Sequence, residues 1–168
     1  MKLHRHGKSL LTAAALAACM SLGSGAAAAG IDGMPPSWLP TTLRLVGVWD
    51  VSVTLRNCVS KQALATFPAT NQFSADGSEL EFGVKTPPSS RYPSLGTWHY
   101  IGPNRYTSAF RFFRFNPDGS YAGTQEVQRT ITLGIDASHF STVASVSIYD
   151  TQHHLLQSGC ATETATRR

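Results

Sequence analysis

Apolar and polar residues alternate with a period of two through most of the chain. In "LRLVGVWDVSVTL", Leu43 to Leu55, the side chains of Leu45, Trp49, Val51, Val53 and Leu55 share one face, with Asp50, Ser52 and Thr54 on the other. That is the pattern of a strand with one buried side. "ELEFGVK" sets Leu80, Phe82 and Val84 opposite Glu79 and Glu81, and "SHFSTVASVSIYD" sends Phe140, Ala144, Val146 and Ile148 one way and mostly serines the other. Turn signals fall between these runs at "SADGS", "GPN", "NPDGS", "GIDAS" and "DTQHH". No long helical period competes with them. About eight strands joined by short turns, each with one apolar face, predict an all-β fold: an antiparallel up-and-down barrel. The prolines of "KTPPSSRYPSLG", Lys85 to Gly96, exclude regular pairing and predict a loop over one barrel mouth.

The amino terminus has a different pattern. "MKLHRHGK" is cationic, "SLLTAAALAA" is a short apolar run, and "GSGAAAAG" offers small residues for cleavage, which together read as an export signal. Two processing routes stay open. One is cleavage after Ala29; the other is lipidation at Cys19, the last residue of "LAAC", which looks like a bacterial lipobox. The chain then divides into a signal over 1–29, an irregular arm over 30–43 that plugs one barrel end through Trp38 and Leu39, and a barrel domain over 44–168. The expected location is periplasmic or secreted, with an outer-membrane-anchored lipoprotein as the lipobox alternative.

Removing the signal changes the charge. The full chain carries 14 basic and 10 acidic residues; without Lys2, Arg5 and Lys8 the 14 become 11, a net charge of about +1. Nucleic-acid binding requires a clustered cationic surface to neutralise phosphates, and the mature chain has none, so that class is excluded. Membrane association is expected only through the lipid anchor of the Cys19 route. Cys58 and Cys160 remain as the one pair in an oxidising compartment, and a disulfide between them would stitch the first strand to the last.

At Gly47-Val48-Trp49 the sequence resembles the lipocalins and their calycin relatives, which carry G-x-W at the start of the first strand of an eight-stranded barrel. The resemblance implies that Trp49 closes one barrel end and that an arginine of the last strand, Arg167 or Arg168, packs over it. The family's second motif, a T-D-Y-like triplet near a later turn, is replaced by "GIDASHF". The likeness therefore covers the architecture of 44–168 and one short motif.

The stretch "SAFRFFRFNPDGSY" sets candidate chemistry. N-P-D-G fits a type I turn with glycine in the bulge position, which would pair Arg111 with Gln125, Phe113 with Gly123 and Thr107 with Arg129. Arg111, Phe113, Gln125 and Arg129 would then face the interior, while Phe110, Phe112 and Arg114 would face out. Buried arginines require an anionic partner. Two remain open: a ligand carboxylate held by guanidinium forks, or an internal ion pair with Glu163. No catalytic motif, metal site or cofactor site is evident; His153 and His154 are neighbours that point oppositely, and His99 stands alone between Trp98 and Tyr100. The expectation is a binding protein for a small hydrophobic or amphipathic molecule, anionic if the arginines serve it. A periplasmic protein-binding module such as a protease inhibitor, acting through the arm, and a barrel-type cyclase or isomerase are the alternatives.

Overall fold

The computed structural model describes residues 39–168; the signal, Cys19 and most of the arm, Trp38 included, lie outside them. Eight antiparallel strands form one closed barrel in sequence order. They are β1 (Gly47–Arg56), β2 (Ala63–Phe73), β3 (Ser78–Gly83), β4 (Ser94–Gly102), β5 (Arg105–Phe115), β6 (Tyr121–Leu133), β7 (His139–Tyr149) and β8 (Leu155–Arg167). No helix among the described residues is long and apolar enough to cross a membrane.

The seam between β1 and β8 pairs Trp49 with Arg167 and Arg56 with Cys160. Cys58 lies just past the end of β1 and is disulfide-bonded to Cys160 across a Cα–Cα distance of 5.2 Å. At the opposite end the Arg167 guanidinium sits 4.1 Å from the Trp49 ring centroid. It also donates to the carbonyls of Val46 at 2.7 Å, Arg44 at 2.5 Å and Ala137 at 2.9 Å. Gly47 makes this possible: its φ is 139°, and a Cβ there would collide with Nη1 of Arg167. The segment Thr41–Val46 completes the closure, with Leu45 buried and the Thr41 carbonyl accepting from the Tyr106 hydroxyl at 2.7 Å. Behind this lid the barrel is solid. Trp49, Phe73 and Phe140 meet at centroid distances of 4.8 and 6.1 Å, and Trp98 lies against both Phe73 and Tyr106.

Two sequence expectations are corrected. In the β5–β6 hairpin Phe115 pairs with Tyr121 as expected, but Arg114 pairs with Gly123, so Ala122 is an extra residue and every pair beyond slips by one. Arg111 therefore pairs with Glu126, and β5 turns Tyr106, Ser108, Phe110 and Phe112 inward while Arg111 and Phe113 stand exposed on the outer wall. The cause is a bulge at Gly123, whose φ of 105° and contact with the Tyr149 and Asp150 backbone leave no room for a Cβ. A one-residue slip exchanges the two faces of a strand. On β6, Gln125 and Arg129 keep their expected inward direction, with Arg129 fully covered.

The second correction concerns β3. Its apolar residues Leu80 and Phe82 face outward, and its carboxylates Glu79 and Glu81 are buried. A strand that alternates acid and apolar residues can present either face, and the arginines inside the barrel decide which.

Candidate functional site: a polar girdle beneath an open cavity

Halfway along the barrel the packed aromatic end gives way to a girdle of charge. Arg129 Nη1 donates to Glu163 Oε2 at 2.6 Å, Nη2 pairs with Glu79, and Nε donates to Ser108 Oγ at 3.1 Å. Ser108 in turn donates to Glu79. Asn71, in the amide orientation its neighbours require, accepts from Nη1 at 2.8 Å and Nη2 at 3.0 Å. The internal ion pair is thus formed with Glu163, as one of the two sequence readings had it, and Glu79 joins it as a second carboxylate. Toward the open end, Arg91 Nη2 donates to Glu81 Oε2 at 2.6 Å and to Ser94 Oγ at 2.8 Å, while its guanidinium carbon lies 3.7 Å from the Phe112 ring centroid.

Three buried carboxylates, Glu79, Glu81 and Glu163, face two buried guanidiniums, Arg91 and Arg129. One negative charge is in excess, and an unbalanced charge in a low-dielectric interior is relieved by taking up a proton. Glu79 is where that happens. Burial pushes its carboxyl from the ordinary 4.5 up to about 7, against the pull of Arg129 and Ser108 and with a further push from Glu163 and Glu81. Arg129 is driven the other way from what burial favours, because Glu163 and Glu79 hold its proton.

This excess has a measurable consequence. Between pH 4.5 and about 7 the folded chain keeps a proton on Glu79 that the unfolded chain has released. Stability is then fully present below the lower value and falls as pH rises through the window, by on the order of 3 kcal/mol if no other group compensates. Urea denaturation across pH 5–8 is expected to show that decline, and Glu79→Gln to flatten it. A wild-type stability that rises with pH through this window would refute the assignment.

Above the girdle lies a cavity of about 520 Å³ opening at the disulfide end. Its apolar wall is Leu55, Phe67, Phe112, Val146 and Ile148, and its polar groups include Gln125, Gln157, Arg91, Arg56 and Lys85. No aspartate or glutamate lines it. Of the four ligand-binding residues expected from the sequence, only Gln125 reaches this cavity. Arg129 is spent in the girdle, and Arg111 and Phe113 are outside. Arg91 and Phe112 went unseen: Arg91 sits in the proline-rich loop, where no periodicity assigns a direction, and Phe112 was turned outward by the missed bulge.

No protein-family model matches the chain, and no curated protein matches it.

Proposed function

We propose that this chain is an exported, lipocalin-like binding protein whose ligand is a small amphipathic molecule held in the mouth cavity. The observation that carries the reading is the division of the barrel into a solid half and a hollow half. A volume of about 520 Å³, walled by aromatic and aliphatic side chains with a few convergent polar groups, suits one small ligand. An apolar body would rest against Phe67, Phe112 and Val146. An anionic or strongly hydrogen-bonding head would meet Gln125, Gln157 and Lys85, with no carboxylate in the lining to repel it. The Trp49–Arg167 closure, the barrel topology and the Cys58–Cys160 bond support the likeness to lipocalins and an oxidising location. A cyclase or isomerase would need an acid–base pair with room for substrate, and neither Glu79 nor Glu163 lines the cavity. The arm proposed for a protease inhibitor falls mostly outside the described residues.

The test is a fluorescence titration with 1-anilinonaphthalene-8-sulfonate, an anionic aromatic probe. Wild type is expected to bind it in the micromolar range. Val146→Trp, which fills the hollow half, is expected to weaken binding at least about tenfold; Arg111→Met is expected to leave it unchanged. Equal binding by wild type and Val146→Trp would remove the cavity from consideration. Native mass spectrometry of the protein from its own host would then identify any molecule that co-purifies.

A further inference from the structure

The exposed large hydrophobic side chains of the described residues are unevenly placed. Leu155 and Leu156 at the head of β8, Val59 in the β1–β2 turn, Leu64 at the head of β2, and Val84 and Tyr92 in the β3–β4 loop all stand at the open end. Their exposure is high: 92% for Val59, 65% for Leu64 and 61% for Leu156. Because β8, β1, β2 and β3 are neighbours in the barrel, these side chains follow one another in an arc along one side of the rim; Phe113 and Tyr121 are exposed on its other side, and Ile101 and Ile135 at the closed end. Single exposed hydrophobics are ordinary on a protein surface, but a concentration of them at one end marks a contact surface.

The same arc carries Arg56, Lys61 and Lys85; one acid, Asp150, borders it in the turn that leads into Leu155, and Asp118 lies beyond it in the β5–β6 turn. Leucine, valine and tyrosine interleaved with lysine is the composition that sits at a lipid–water boundary. The apolar groups enter the acyl region, the tyrosine ring lies at headgroup depth, and lysine stems reach the phosphates. The shape points the same way. Val59, Leu64 and Lys85 also line the cavity entrance, so the arc borders an opening and is not a filled patch. A folded partner seated there would span a void. Lipid chains and headgroups conform to it.

We infer that the open end of the barrel docks on a bilayer surface that carries anionic lipid, through the arc from Leu155 to Tyr92, with the cavity entrance against the membrane. This contact goes beyond ligand binding and does not depend on it. A protein with this rim could take an amphipathic molecule from the leaflet, or return one to it, without exposing it to water.

Co-sedimentation with vesicles provides the test, using phosphatidylethanolamine–phosphatidylglycerol vesicles against phosphatidylcholine vesicles at low and high salt. Wild type is expected to bind the anionic vesicles and to release with salt. The triple variant Val59→Ser/Leu155→Ser/Leu156→Ser is expected to bind about tenfold or more weakly. Lys61→Gln and Lys85→Gln are each expected to lose roughly fivefold. Val143→Ser, on the mid-barrel wall, is expected to bind as wild type does, and circular dichroism would establish that every variant is folded. Val146→Trp separates this contact from the cavity reading: it is expected to lose the soluble probe and keep the vesicles. Absence of wild-type binding to anionic vesicles would overturn the proposal, as would equal binding by the triple variant. A dimer in light scattering that the triple variant makes monomeric would assign the arc to a second copy of the chain instead.

Discussion

Replacing Arg129 by methionine is expected to destabilise the fold by about 3–5 kcal/mol, the range found when one member of a buried ion pair is removed and its partner is left without a counterion. Here the effect falls on two carboxylates. Glu163 and Glu79 both direct an oxygen at this guanidinium, and all three side chains are covered. Without Arg129 both acids must be protonated for the barrel to close, so the loss is expected to be larger at pH 8 than at pH 5. Adding Glu79→Gln and Glu163→Gln to Arg129→Met is expected to recover part of the stability, since it removes the stranded charges. Urea denaturation of the single and triple variants would measure both effects. A single-variant loss below about 1 kcal/mol would mean that the girdle is not held together by this residue. Arg111→Met is expected to change stability by no more than about 0.5 kcal/mol, because that side chain is exposed on the outer wall.

The second large effect is expected at the disulfide. Cys58 and Cys160 close a loop of 102 residues. Holding such a loop shut in the unfolded chain is worth roughly 4–5 kcal/mol on the chain-entropy account. The double variant Cys58→Ser/Cys160→Ser is expected to melt on the order of 10–20 °C lower than wild type by differential scanning calorimetry. The location of the bond adds to this. It ties the seam on which barrel closure depends at the hollow end, where a cavity of about 520 Å³ replaces packed side chains. The solid end has Trp49, Phe73 and Phe140 to hold it and needs no such tie. The bond is therefore expected to matter more for probe binding than for the environment of Trp49. Reduction should raise the dissociation constant of the cavity probe before it shifts the tryptophan emission.

The architecture was legible for a simple reason. A period of two in apolar residues is imposed by strand geometry, and it survives in the sequence wherever one face meets a core. The span of β7, that of β1 from Gly47 onward, the short turns, the proline-rich loop at the mouth and the order of strands follow from that pattern. So does the pairing of Cys58 with Cys160, because an up-and-down barrel has no other place for its first and last strands. Leu43–Val46, read as the head of the first strand, is instead the end of a 3-10 turn and the segment leading into β1. The closure over Trp49 was expected on other grounds, as what the G-x-W resemblance implied. Once the barrel is assumed, the end of β8 falls beside the start of β1, and Arg167 is there.

The site was not legible, and three residues show why. Arg111 and Phe113 were placed inside by counting back from the N-P-D-G turn, a count that holds only until the first bulge. Gly123 supplies that bulge, and nothing local distinguishes a glycine that inserts a residue from one that merely lacks a side chain. Glu79 was read only as the polar partner of an apolar face, because alternation reports that two faces differ and not which one is buried.

Alternation along the backbone thus specified a rolled antiparallel sheet, its turns and its covalent seam, since these depend on spacing between neighbours in sequence. Which charges are sealed in the middle of the barrel, and which walls enclose its empty half, was decided by contacts such as Arg129 with Glu79 and Arg91 with Phe112, between residues far apart in the chain. A single inserted residue reverses a strand's two faces, and only the closed barrel, with Arg91 and Arg129 matched to buried acids, selects the orientation that is observed.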